Sequence, residues 1–573
     1  MSTNQEQEEQ ENLENTKSMG LSSNDNDNDN DKIVNKSDNG TDDDDHDSIS
    51  ITGSVSEEVE EFVDEEDDDG NDDDLSMDDD KKNDNDKNTN EIQTHYIFLV
   101  HGWLGNSLEM SYIENAIVNQ VQKSATTSAA AQKSRVIVHS VTANNGRTTD
   151  GIAKGGIRIA QEIQNFMKED VKAYTKLSSS SLSLSSSPSP MAHQASISFV
   201  GNSLGGLYSR YALSCIPTQL DIPSMKIVLH YNIFCTTVTP HLGVASNTYI
   251  KLPRFMEHVI GNVLLSTGRD LFRVDSSGTT SSSINNENKS KKQQQHEQEQ
   301  EQPQNYHTVD DLIYTMAVDE IFITPLMSFS KRLAYINAFG TDFQVPTSTA
   351  AFLDSESTYP HYVIEATSFS NTSTTGSGDG DDDDGEKSSF IATKVITKRS
   401  LDIIYANQEW YSDKSPHLIM SNKLDALGWD KVFIDTRDKI PLPTYAIPKF
   451  FKSTKKSHKE EWDDFVKSKS MSMSSRSSTS SISGGNSSLN EDDDKDKECD
   501  SVVGRGQITA IVESKDMHRL LTSNDRVQIP AGHSVLVANS KSKSYAKFTT
   551  EGKPVMDRLA SDIIGDIFTL RAN

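Results

Sequence analysis

From Ile197 to Gly206 the chain reads Ile-Ser-Phe-Val-Gly-Asn-Ser-Leu-Gly-Gly. Gly201, Ser203 and Gly205 stand in the spacing G-x-S-x-G, which sets a serine between two residues without side chains. The apolar run Ile197–Val200 reads as a strand, and Leu204–Ser214 is compatible with a helix, so the serine falls on a tight strand-to-helix turn. Side chains at the two flanking positions would collide with neighbouring backbone, which is why glycine is required there. The helix N-terminus behind Ser203 offers N–H groups and a positive dipole to a developing oxyanion. The chemistry that suits such a group is nucleophilic attack on an acyl carbon.

A second stretch supports the first. Phe98–Asn106 (FLVHGWLGN) is a strand that runs into His101-Gly102 and a glycine-bearing loop. In a serine hydrolase of this layout one oxyanion donor is the backbone N–H after the nucleophile, here Leu204. The other is an N–H of the earlier strand-to-helix loop, here best assigned to Trp103. His101 precedes that loop, which argues for an orienting role rather than for the general base.

HGWLGN, GNSLGGLYSRYAL and Thr237–Val244 (TVTPHLGV) together resemble the lipase-like putative serine esterase family of the α/β-hydrolase superfamily. That family's recurrent pattern runs H-G-x-x-G, G-x-S-L-G-G-x-x-x-R-Y-A, T-P-H-L-G and D-x-x-V-P. The last element stands here as Asp342-Phe-Gln-Val-Pro346. The resemblance covers residues 92–573 with gaps, is specific from 95 to 245, and thins toward the C-terminus. It implies an α/β-hydrolase fold and hydrolysis of carboxylic esters.

In α/β-hydrolases the catalytic acid and base follow the serine in that order. Asp342 lies in a polar turn after the apolar strand Leu333–Phe339, where a carboxylate reaches a histidine from the sheet edge. Asp354 and Asp319 are rivals, but neither directly follows a strand. His417, His518 and His533 all follow Asp342, while His458 sits in a Ser/Lys-rich stretch expected to be exposed. His533 lies in Val527–Val537 (VQIPAGHSVLV), which resembles the family's A-H-x-x-I-x-V segment between the final core strand and the closing helix. Gly532 stands where the family has alanine. The resemblance therefore implies a triad of Ser203, Asp342 and His533, with His518 as the next candidate for the base.

The elements that must hold these groups alternate in type. His95–Val100, Arg135–Val141, Ile197–Val200, Lys226–Phe234, Leu333–Phe339 and Trp429–Ile434 read as strands, the last as the final one. Gly156–Asp170 carries a helical apolar stripe, and Val555–Phe568 reads as a closing amphipathic helix. Strands alternating with helices imply a mostly parallel sheet with helices on both faces.

Composition limits how much of the chain can join that core. Only 34% of residues are hydrophobic, against a usual apolar share of about 45–50%. Residues 1–90 carry 33 Asp or Glu against 6 Lys, a net of −27 out of −32 for the whole chain, so the rest is nearly neutral. With almost nothing apolar to bury, this acidic segment is expected to be disordered. Low-complexity stretches at 177–190, 276–304, 370–389 and 453–500 read as flexible insertions in a single domain over 91–573. No basic stripe suits nucleic acid.

Cys215, Cys235 and Cys499 form neither a disulfide framework nor a metal spacing, and the first two read as buried, inert thiols. Neither a secretory signal nor a spanning apolar run is evident. The expected setting is cytoplasmic, with peripheral contact at an intracellular membrane.

The triad chemistry calls for no metal and no organic cofactor. His241–Ser330 lies where lipase-like enzymes carry a lid. Its apolar runs Val259–Leu265, Leu312–Val318 and Ile321–Phe329 are read equally as an acyl-binding cover or as core. A lid would imply a lipid acyl ester as substrate. Thioester hydrolysis, acyl transfer with the same triad, and a non-catalytic interaction protein are the alternatives.

Overall fold

The computed structural model describes residues 50–51, 94–127, 134–179, 192–222, 225–246, 252–274, 311–342, 344–364, 367–369, 390–407, 409–436, 462–469, 508–521 and 532–569. Of the acidic N-terminal segment only Ser50–Ile51 is described, where a two-residue strand paired with Val136–Ile137 replaces the expected disorder. The rest of that segment, residues 180–190 of the first insertion (its first three residues end a helix), the insertions at 276–304 and 370–389, and Cys499 and His458 lie outside these residues.

In chain order the elements begin with β1 (Ser50–Ile51), β2 (Thr94–Val100), a 3-10 turn (Ser107–Met110) leading into α1 (Ser111–Thr127), β3 (Arg135–Ser140), α2 (Ile152–Ser179), β4 (Ala192–Asn202) and α3 (Leu204–Leu213). There follow β5 (Gln219–Ile222), β6 (Met225–Thr237), α4 (Arg254–Val263), α5 (Leu265–Leu271), α6 (Leu312–Val318), α7 (Glu320–Met327), β7 (Lys331–Asn337) and α8 (Thr347–Ala350). The last third adds β8 (Pro360–Ile364), β9 (Thr367–Phe369), β10 (Phe390–Ile396), α9 (Leu401–Ile404), α10 (Pro416–Asp425) and β11 (Asp430–Asp435). After α11 over 462–469 come β12 (Ile508–Glu513), α12 (Ser514–Leu521), α13 (Gly532–Leu536), α14 (Lys543–Phe548) and α15 (Lys553–Thr569).

The strands that are most apolar in sequence become the centre of one sheet, in the order β1-β3-β2-β4-β6-β7-β11-β10-β8-β12, with β5 paired to β6 and β9 to β10. From β3 to β11 every pair is parallel. Beyond β11 the pairs are antiparallel. This is an α/β fold compatible with an α/β-hydrolase. Alternation along the central strands feeds two apolar layers, as strands buried on both faces require. Tyr96 and Phe98 of β2, Phe234 of β6 and Phe433 of β11 enter one layer with α2, α3, α6, α7 and α10. Ile97, Leu99, Ile233, Cys235, Val432 and Ile434 enter the other, packed by α1 and α15.

Three expectations are corrected. Trp429–Ile434 does form the last parallel strand, as β11, but β12 follows it in sequence as an antiparallel edge strand. The runs PHYVI, FIATKVI and ITAIVE mix polar and apolar residues, and they become strands only through their neighbours. The stretch 453–500 is not insertion throughout: Trp462 of α11 is buried, and Phe465 and Val466 pack against the same core. Those apolar residues sit at helical spacing and supply the face that docks. Finally, Cys215 is exposed, because it falls in the turn just past α3, whereas Cys235 is buried within β6.

Candidate active site

Ser203 sits between the end of β4 and the first residue of α3 with φ 53° and ψ −124°, a left-handed backbone that few side chains adopt. Its own N–H donates to Thr237 O at 2.8 Å, which fixes the turn to the end of β6. Crowding explains the glycines. A Cβ on Gly201 would stand 2.6 Å from the Gly206 backbone, and one on Gly205 would stand 2.1 Å from Val100 O. Gly205 thereby presses the elbow against the end of β2, and a Cβ on Gly102 would meet Ser203 Cβ at 2.9 Å. Arg210, about two turns along α3, is fully buried and donates to His241 O (3.2 Å) and Met316 O (2.7 Å). Burial pushes its guanidinium down to about 9.

The loop after β2 distributes its N–H groups selectively. Gly105 N–H donates to Gly102 O at 3.2 Å and Leu104 N–H to Thr148 Oγ1 at 2.9 Å. Among the described residues, neither the Trp103 N–H nor the Leu204 N–H has an acceptor, and both residues line the same cavity as Ser203. His101 is buried beneath this loop, with Nδ1 on Gly102 O at 3.1 Å, and is absent from the cavity lining. Burial lowers its proton affinity, as suits a neutral orienting imidazole.

Asp342 follows β7 and is fully buried. Its Oδ1 accepts from Gln344 N and Val345 N, both at 2.9 Å, which accounts for the D-x-x-V spacing as an aspartate capping its own turn. Its Oδ2 accepts from Asn337 Nδ2 at 3.2 Å and lies 2.8 Å from His533 Nδ1. This bond leaves Nε2 as the ring nitrogen for chemistry in the cavity, which Ser203 and His533 both line. Burial opposes protonation of His533. The charge and hydrogen bond of Asp342, with a smaller contribution from Glu109, outweigh it and hold the imidazole above its ordinary value.

The rival groups lie elsewhere. Asp354 pairs with His417 at 2.6 Å, and His518 interacts electrostatically with both. Asp319 is exposed and caps α7, accepting from Ile321 N at 3.0 Å. The sequence reading missed Glu109, which is buried and lines the cavity. An acid one turn before a helix is so common that nothing in the sequence separates it from an ordinary N-terminal charge.

The cavity holds about 570 Å³, within the usual range for small-molecule sites. Ile260 and Leu264, at and after the end of α4, line it together with Leu271 and Phe272. Glu257, almost fully buried, pins α4 by accepting from Ser246 N and Arg254, each at 2.7 Å. Phe255, Val259 and Val263 of the same helix face outward, 60–73% exposed. By contrast α6 and α7 bury Ile313, Met316, Phe322, Ile323 and Leu326 in the core. Of the three runs considered for a cover, only the first lines the cavity.

Residues 90–354 match the family model described as Putative serine esterase (DUF676). The matched segment contains the loop after β2, Ser203 and Asp342 and ends before His533. No curated protein matches the chain. No helix among the described residues is long and apolar enough to cross a membrane.

Proposed function

We propose that the chain is a serine hydrolase that cleaves carboxylic esters, lipid acyl esters among them, through an acyl-serine intermediate. The observation that carries this reading is the buried Asp342–His533 pair, 2.8 Å apart, opening onto the cavity that Ser203 lines. The family match supports serine hydrolase activity in the same terms.

In this reading His533 Nε2 takes the Ser203 proton as Oγ bonds to the ester carbonyl carbon. Asp342 steadies the imidazolium through Nδ1. The carbonyl oxygen becomes an oxyanion that the Trp103 and Leu204 N–H groups accommodate; each such donor contributes about 10²–10³ in rate in comparable enzymes. Collapse expels the alcohol, which leaves with the proton from His533. Water then repeats the sequence on the acyl-serine, with His533 again as base, and releases the acid.

The apolar lining from Val244, Ile260, Leu264 and Phe272 favours an acyl chain over a polar acyl group. The outward apolar side chains of α4, beside that lining, favour an ester presented at a lipid surface. The deciding experiment is labelling with a fluorophosphonate probe and turnover of p-nitrophenyl esters by the wild type and Ser203→Ala. Loss of both in a folded variant is expected, and full turnover without Ser203 would remove the assignment.

A further inference from the structure

The cavity lining includes a carboxyl group, Glu109, for which the reaction above has no task. Glu109 lies in the 3-10 turn that closes the oxyanion loop and is only 6% exposed. A carboxyl group is costly to hold there unless it is hydrogen-bonded. Its Oε1 accepts from the Nδ2 of Asn202, the residue before the nucleophile. Asn202 Oδ1 accepts in turn from Thr237 Oγ1 at 3.0 Å, and Thr237 O receives the Ser203 N–H at 2.8 Å. On its other side the carboxyl group rests on the oxyanion loop: a Cβ on Gly105 would come 2.0 Å from Oε2. One side chain therefore bridges two segments that lie about a hundred residues apart in sequence.

We propose that Glu109 is a positioning residue: it ties the loop Gly102–Gly105 to the nucleophile elbow through Asn202, and so sets the separation of the Trp103 and Leu204 N–H groups. The two halves of an oxyanion hole must be held to a fraction of an ångström, since a displacement of about 1 Å costs up to about 10² in rate. A buried hydrogen bond to the residue preceding Ser203 is a short and stiff way to hold them. This inference rests on the Ser203 hydrolase reading.

The test uses the full chain and p-nitrophenyl butyrate, with folding followed by circular dichroism, comparing the wild type with E109A, E109Q, N202A and E109A/N202A. In E109A kcat should fall about 10- to 100-fold with KM within about twofold, because the transition state rather than binding is misaligned. E109Q keeps an acceptor oxygen and should recover most of the loss. The double variant should be no slower than the worse single one, since both act through one bond. G105A is the second arm: its methyl displaces the carboxyl group without removing it and should lower kcat in the same way, whether or not E109A folds. Unchanged kcat in folded E109A or in G105A, or losses that multiply in the double variant, would overturn the proposal. A folded wild type without esterase activity removes the hydrolase reading and this one together; an active wild type with unmoved variants removes this one alone.

Discussion

The Cβ that Gly532 lacks would stand 2.3 Å from the carbonyl oxygen of Thr341, the residue before Asp342. The backbone carrying His533 therefore touches the backbone carrying Asp342, and that contact lets Nδ1 reach Oδ2 at 2.8 Å. Alanine is a better helix former than glycine, so Gly532→Ala should not weaken α13 itself. It should push His533 away from Asp342 and lower kcat/KM by about tenfold or more. Steady-state kinetics on a soluble ester checks this, and wild-type turnover would show that the loop yields instead.

His533 and His518 separate by experiment. His533→Ala removes the group paired with Asp342 and should cost at least about 10³ in turnover, while His518→Ala should cost less than about tenfold. His518 belongs with Asp354 and His417, away from the cavity lining. Both variants should keep the wild-type circular dichroism spectrum. Exchanged outcomes would transfer the role of base to His518.

The pH profile follows from the raised proton affinity of His533. The base works only when neutral, so kcat/KM should fall as pH drops through a value above that of an ordinary histidine. Asp342→Asn deletes the charge that outweighs burial. The acid limb should then move to lower pH, while kcat falls by several powers of ten through loss of the oriented tautomer. An acid limb that stays in place in Asp342→Asn would separate Asp342 from the base.

The outward face of α4 predicts a split between substrates. Val259→Asp with Val263→Asp adds charge where the side chains are 60% and 73% exposed, so the fold should tolerate it. Turnover of a dissolved short-chain ester should stay within about twofold, while turnover of a long-chain ester in phospholipid vesicles should fall about tenfold or more. An equal effect on both substrates would mean that the face serves the fold and not an interface.

Local constraints were legible in the sequence because they act between neighbours. The glycines around Ser203 announce a turn that only residues without side chains can make, and the apolar runs announce strands buried on both faces. Asp342 is marked the same way, since Gln344 and Val345, two and three residues on, cap its carboxylate. The groups gathered around Ser203 are different. His533 lies 191 residues from Asp342 and was marked only by the likeness of its segment to the family's, while His417 also has an aspartate at hydrogen-bond distance. The packing of α13 against Thr341 puts His533, and not His417, beside Asp342 at the cavity that Ser203 lines. Glu109 was invisible for the same reason: its meaning comes from Asn202, 93 residues away. The antiparallel strands β10, β8 and β12 on one side of the sheet, and the docked helix over 462–469, likewise exist because a neighbouring surface was there to bury them. Sequence determined the groups whose geometry is made by the adjacent backbone, and tertiary structure decided the groups whose geometry is made by a distant one.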